Sequence, residues 1–420
     1  MQKFRQKVSK FLKKIGPGFI TGSSDDDPAG IAIYSQAGAQ VGHKLLWTAP
    51  FAFPFMVTIQ EMCARIGAVT GHGLVGTMRR HYPAIFLWLV AGAVFVANTI
   101  NVAADLAGMA AATQLLLPVN ANLIAGFYAL LIIALFFFFS YTRVTSVLKW
   151  LTLSLLAYIA TTFVVKQDWE AIVFHTLIPH ISFSREYLLL ITAILGTTIS
   201  PYLFFWQASQ EAQDRTEQGF VDHRKTVQEV TKTDLKMIRT DVGLGMFFSN
   251  LVMFFIIATA ASTLFPAGIH TIRTAQDAAL ALRPLAGDTA FILFALGLIG
   301  TGLLAIPILA GSAAYAFSEL FGVDSGFGKS FAKTRIFYLV ILLSTIGGFA
   351  INMFGIDPFR ALFLTGVIYG LMSPILILVI LHIANSKSIM GKRVNGIWSN
   401  TLGVAIFVIM SLAVLGVLIL

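Results

Sequence analysis

Charge is what this sequence has least of. Asp, Glu, Lys and Arg together make up 12% of its 420 residues, about half of the roughly 25% that a soluble chain carries. The deficit excludes a disordered protein, a coiled coil and almost any soluble enzyme with a solvated surface. Cysteine is nearly absent: Cys63 stands alone, so no disulfide framework and no thiolate metal cluster can form. It reads as a small core residue in an apolar helix. Short alternating segments, about ten residues each in an outer-membrane barrel, are missing too. What is there is apolar, 57% of residues in long unbroken runs with a mean hydropathy of +0.81. That leaves an all-α polytopic membrane protein.

The net charge of +9 would suggest nucleic acid in a soluble chain. In a membrane protein, basic cytoplasmic loops account for it, and the partner they imply is the lipid bilayer, not nucleic acid. Residues 1–15 form a basic tail (Lys3, Arg5, Lys7, Lys10, Lys13, Lys14) with no cleavable signal apparent. A spanning helix needs about 20 mostly apolar residues. That ruler gives about eleven spans, near 16–39, 45–68, 84–112, 121–141, 146–166, 187–210, 241–265, 289–319, 335–353, 361–384 and 398–420. With the N-terminus cytoplasmic and the C-terminus outside, about 22 of the 29 Lys and Arg fall inside and about six outside. The chain is expected in the inner (plasma) membrane. The polar stretch 211–240 reads as a solvated cytoplasmic helix.

Two spans are interrupted. The first carries Ser24-Asp25-Asp26-Asp27-Pro28-Ala29-Gly30, and the sixth carries Gly196-Thr197-Thr198-Ile199-Ser200-Pro201-Tyr202. Proline removes a helical hydrogen bond and clashes with the carbonyl four residues earlier. Carbonyls freed at membrane depth are tolerated where they line a cavity. Interrupted helices at matching places in two halves point to a transporter built on inverted repeats. Here repeat one covers about 16–166, repeat two about 187–384, and an extra helix about 398–420, all in one transmembrane domain.

A carboxylate at the bilayer centre costs at least about 2.5–3.5 kcal/mol, so Asp25, Asp26 and Asp27 argue for a hydrated cation site. Asp27, directly before Pro28, is the first choice as ligand; Asp25 and Asp26 either join it or pair with other helices and line the approach. Asp105 in the third span is a further acid that could relay protons or hold an ion pathway. Glu61 and Arg65, at i and i+4, read as a structural ion pair, and the asparagines within spans as helix glue. The other donors at the breaks are hydroxyls of Ser24, Thr197, Thr198 and Ser200 and freed carbonyls. No His, Met or Cys lies at either break. Oxygen donors favour hard cations such as Mg²⁺, Ca²⁺ and Mn²⁺. No histidine is placed to activate Ser200, so no enzyme is indicated, and no cofactor is expected beyond the transported ion.

At these residues the sequence resembles the Nramp family of divalent-metal transporters, over essentially the whole chain after the tail. Asp27-Pro28-Ala29-Gly30 is similar to the family's first-helix Asp-Pro-Gly-Asn. Residues 65–71, Arg-Ile-Gly-Ala-Val-Thr-Gly, resemble Arg-Leu-Gly-x-Val-Thr-Gly, and Asp105-Leu106-Ala107-Gly108 resembles Asp-Leu-Ala-Glu. The resemblance implies a LeuT-type fold: two inverted five-helix repeats plus an eleventh helix, with helices 1 and 6 broken. It also implies a ligand set. Asp27 keeps the family's acid, Gly30 stands where its Asn ligand would be, and Ser200 stands in place of the Met of the helix-6 Met-Pro-His motif. Backbone-carbonyl ligands map to Ser24 and Thr197. The family's two helix-6 histidines map to Tyr202 and Gln207, the helix-3 Glu to Gly108, and a helix-10 Gln to Gly366.

These replacements resemble the Nramp-related magnesium transporters, a branch that carries Mg²⁺ and Mn²⁺ without proton coupling. The function expected first is therefore uptake of a partly hydrated Mg²⁺, or Mn²⁺, by a uniporter. The alternative is a proton-coupled Mn²⁺/Fe²⁺ symporter of the Nramp type. A Na⁺-coupled organic-solute symporter of the same fold is less favoured, because three aspartates would repel a substrate carboxylate.

Overall fold

The computed structural model describes residues 17–138, 155–221, 227–355 and 357–419. The basic tail, Arg143, Lys149, His223, Arg224 and Lys225 lie outside the described residues, as does the start of the fifth span. Among the described residues every regular element is helical. The first span is two helices, α1 (Pro17–Ser23) and α2 (Pro28–Val41). Then come α3 (Thr48–Thr70), the short α4 (Leu74–Met78), α5 (Ala84–Gln114), α6 (Ala121–Phe138), α7 (Leu156–Val164) and α8 (Trp169–Leu177). The sixth span is again two helices, α9 (Arg185–Thr198) and α10 (Pro201–Glu217). The chain continues through α11 (Lys232–Thr263), α12 (Ala290–Phe321), α13 (Arg335–Asn352), α14 (Pro358–Asn385) and α15 (Ile397–Ile419).

Taking α9 and α10 as one, eight helices among the described residues are long and apolar enough to cross a membrane. The first span is not among them because it is divided into pieces of 7 and 14 residues. Nor is α3, which carries Gln60, Glu61 and Arg65. The expected solvated helix at 211–240 is corrected: these residues are largely the end of α10 and the start of α11, tied by Arg215 to Asp234 at 3.8 Å. Hydropathy marks where a helix leaves the lipid, whereas backbone hydrogen bonding continues until a cap stops it. The start of α11 is such a cap, with Thr231 and Asp234 bonding each other's backbone.

Packing is reciprocal. α11 lies along both halves of the broken first span, and α3 lies along α10, half of the other broken span. Both contacts depend on small residues, as close helix approach in a membrane requires. A Cβ at Gly22 would fall 2.2 Å from the Gly245 backbone, and one at Gly67 would fall 2.1 Å from the Ala208 carbonyl oxygen. The apolar core forms two clusters, and the breaks lie where they meet. Ile20 packs on one cluster and Ala29 belongs to the other, flanking the first break. Ile199 and Tyr202 straddle the second in the same way. α15 is the helix most open to lipid, exposing Val404, Val408, Leu412 and Leu415.

Candidate metal centre

The first break is built by capping. Asp27 is the N-cap of α2: its Oδ1 accepts from the Gly30 amide at 2.7 Å, and Pro28 occupies the first helical position. Upstream, the Ser24 hydroxyl donates to the Thr21 carbonyl at 2.8 Å, which closes α1. Residues 24–27 are thus left outside either helix, all of them buried. The second break repeats part of this plan, without a side-chain cap. Ser200 precedes Pro201 at the start of α10, and its hydroxyl donates back to the carbonyls of Gly196 and Thr197.

Side chains of α10 connect the two breaks. The Tyr202 hydroxyl donates to the Ser24 carbonyl at 3.1 Å, and Gln207 Oε1 accepts from the Thr21 hydroxyl at 2.6 Å. Across the other halves, the hydroxyls of Tyr34 and Thr198 are 2.8 Å apart. Two further helices complete the enclosure. From α5, Asn101 Nδ2 donates to Asp27 Oδ2 at 3.1 Å. From α11, the Ser249 hydroxyl donates to Asp25 Oδ2 at 2.5 Å.

The charge balance is the distinctive feature. Asp25, Asp26, Asp27 and Asp105 are each 1% exposed or less, and Asp105 lies within electrostatic range of Asp27. Among the described residues, both oxygens of Asp26, both of Asp105 and Oδ1 of Asp25 have no hydrogen-bond partner. Among the described residues the ion pairs are Arg65–Glu61 and Arg215–Asp234, so no basic side chain neutralises these four acids. Buried carboxylates without a base need a compensating cation, whether a metal ion or a proton. The acids do not form one cluster of side-chain ligands: no group of three or more His, Cys, Asp or Glu converges among the described residues. Asp25 turns to α11 and Asp27 to α5. What the breaks offer an ion is one carboxylate together with carbonyls and hydroxyls.

The positions expected from the sequence fall into three groups. Asp27, Ser24, Thr197, Ser200 and Gly30 lie at the breaks, and a Cβ on Gly30 would stand 3.4 Å from Asp27 Oδ1 and 3.3 Å from the Asp25 carbonyl oxygen. Any side chain at 30 would therefore begin beside Asp27. Asp25, Thr198, Tyr202 and Gln207 surround the breaks through the contacts above, Asp26 lies within the first break, and Asp105 is within electrostatic range of Asp27. Gly366 is placed differently. A Cβ there would meet Ile33 Cδ1 at 2.4 Å and the Ala193 carbonyl oxygen at 2.9 Å, so it is a packing contact of α14 against α2 and α9.

Two partners were not legible. Asn101, read as helix glue, contacts Asp27; its place one turn before Asp105 was the available signal. Asn98, by contrast, does join helices, donating to the Leu309 carbonyl and Ser312 and accepting from Tyr369. Met253 of α11 brings its sulfur 3.8 Å from the Thr198 hydroxyl. The breaks themselves lack a soft donor, but the fold sets a thioether beside the second one. The Glu61–Arg65 pair is present, with Nε and Oε1 3.1 Å apart.

The family model for Nramp, described as Natural resistance-associated macrophage protein-like, matches residues 18–420. A Divalent metal cation transporter MntH from Pectobacterium carotovorum subsp. carotovorum is 28% identical, covering 95% of this chain and 92% of its own length. The protein of that name from Caldanaerobacter subterraneus subsp. tengcongensis is 24% identical, over 95% and 91%. Among solved structures, the Eremococcus coleocola manganese transporter has a TM-score of 0.77 at 16% identity, covering 97% of this chain and 86% of its own. Mhp1, a nucleobase-cation-symport-1 family transporter, has a TM-score of 0.58 at 13% identity, over 96% and 90%. Both likenesses concern the fold.

Proposed function

The chain belongs to the Nramp family and is a divalent metal cation transporter, not an enzyme; from that premise we propose that the ion passes between the two broken helices with Asp27 as its charged ligand. The observation that carries this is the set of four buried acids with no basic partner around paired helix breaks. The carbonyls of Ser24 and Thr197 and the hydroxyl of Ser200 supply further oxygens, and Gly30 presents no side chain to the carboxylate. Asp25, Asp26 and Asp105 line the approach. The reciprocal packing of α11 on α1 and α2 and of α3 on α10 supports two inverted repeats, whose rocking would expose the site to each side in turn. The loop charges support a cytoplasmic N-terminus, and transport inward is proposed with it.

For the cargo, Mn²⁺ moved with protons is the reading put forward first. The relatives carry the names MntH and manganese transporter, and the Met253 thioether beside Thr198 suits Mn²⁺ better than Mg²⁺. Metal binding to acids that otherwise hold protons releases those protons. The Mg²⁺ uniport expected from the sequence gains no support from these relatives. It is kept as a second reading on one observation: every donor in the breaks themselves is an oxygen.

Uptake into proteoliposomes containing a pH dye tests both. Mn²⁺ entry with acidification of the lumen is expected. Mg²⁺ entry without acidification would select the second reading, and wild-type uptake by Asp27→Asn would remove the site.

A further inference from the structure

Transport leaves unexplained a basic cavity of about 500 Å³ at the membrane end where α11 begins and α15 starts. Arg65, Lys232, Lys236, Arg239, Lys392 and Arg393 line it, with Glu61 as the one acid. Glu61 is taken up by Arg65. Arg65 is 5% exposed and is aimed into place by the Arg393 carbonyl, at 2.6 Å, and by Asn395 Oδ1. Arg393 in turn donates to the Val230 carbonyl. Among the described residues Lys232, Lys236, Arg239 and Lys392 have no ion pair. Like charges gathered in one recess repel unless an anion joins them.

Three features say what the anion is. The first two turns of α11 contribute Lys232, Lys236 and Arg239, so the positive end of a 32-residue helix adds to the side-chain charge. The cavity also reaches α15, the most lipid-exposed helix, at Ile397 and Trp398, which are 83% and 81% exposed. Tryptophan at a helix end marks headgroup depth. Basic pockets between transmembrane helices hold phosphate headgroups of anionic lipids. We propose that this cavity binds a phosphate-bearing anion, supplied from the membrane as the headgroup of an anionic phospholipid. Its acyl chains would run along α15, and the headgroup would join α3, α11 and the segment before α15 at a single point.

The test places the full chain in nanodiscs of phosphatidylcholine alone or mixed with phosphatidylglycerol. Retained lipid is counted by native mass spectrometry during delipidation, and thermal unfolding is followed in parallel. The wild type should retain phosphatidylglycerol selectively and unfold at higher temperature with it. The exposed triple variant Lys232→Gln/Lys236→Gln/Arg239→Gln should bind it on the order of a hundredfold more weakly. A control, Lys333→Gln/Lys387→Gln, removes charge elsewhere and should behave as wild type. Equal loss in the control would mean diffuse surface charge and overturn the site. So would phosphatidylglycerol retention unchanged in the triple variant. Millimolar inorganic phosphate that displaces the lipid and stabilises equally would overturn the membrane source.

Discussion

Asparagine at position 27 separates the two things Asp27 does. The native side chain caps α2 through Gly30, at 2.7 Å, and presents Oδ2 to Asn101 at 3.1 Å. Asparagine is isosteric and caps about as well as aspartate, so the cap survives in Asp27→Asn and the charge does not. Removing one buried acid that has no basic partner does not destabilise the ion-free protein, and the unfolding midpoint should stay level or rise. Metal binding behaves oppositely. Losing the charged partner of a buried ion corresponds to about 3–5 kcal/mol, which is at least about a hundredfold in affinity. Calorimetric titration with Mn²⁺ in detergent and uptake in proteoliposomes read the binding, and thermal unfolding reads the fold. Asp27→Ala is the reference, since it also loses the cap and should cost about 1 kcal/mol of stability. Two results would refute the reasoning: an Asp27→Asn protein that binds Mn²⁺ within threefold or so of wild type, or one that unfolds as early as Asp27→Ala.

Further expectations follow from neighbouring contacts. Gly30→Asn with Ser200→Met puts an amide oxygen beside Asp27 and a thioether at the second break, so Mn²⁺ should gain over Mg²⁺ in competition uptake; unchanged selectivity would move both positions out of the site. Met253→Leu keeps volume but removes sulfur, and should lower the Mn²⁺ over Mg²⁺ ratio in the same assay with stability nearly unaltered. Asp105→Asn removes an acid in electrostatic range of Asp27; metal uptake should continue more slowly while the dye reports fewer protons per ion. An unchanged proton count would exclude Asp105 from coupling. Gly22→Ala drives a methyl into the Gly245 backbone, and overpacking of this kind costs about 1–3 kcal/mol, measurable as a lower unfolding midpoint.

The breaks were legible because local chemistry makes them. Asp27-Pro28 and Ser200-Pro201 each place a short polar residue before a proline, which can begin a helix but not continue one; Asp27 caps the helix that follows, and Ser200 bonds back to the helix that ends. The charge deficit likewise follows from the solvent, since lipid gives a charged side chain no hydration. Span ends were less legible at 211–240, because α10 and α11 run on past their apolar parts.

The sequence by itself therefore determined the membrane class, the order of the helices, the two interruptions and the acid that stands at the first. Tertiary structure decided what faces that acid. Asn101 against Asp27, Met253 beside Thr198, Gln207 with Thr21 and the burial of Gly366 between α2 and α9 all join residues from different helices. Such contacts depend on how each helix is rotated about its axis. In water that rotation is written in a polar face and an apolar one. In lipid both the outward and the inward face are apolar, so the pattern is weak and close packing of small residues such as Gly22, Gly67 and Gly245 sets the rotation instead.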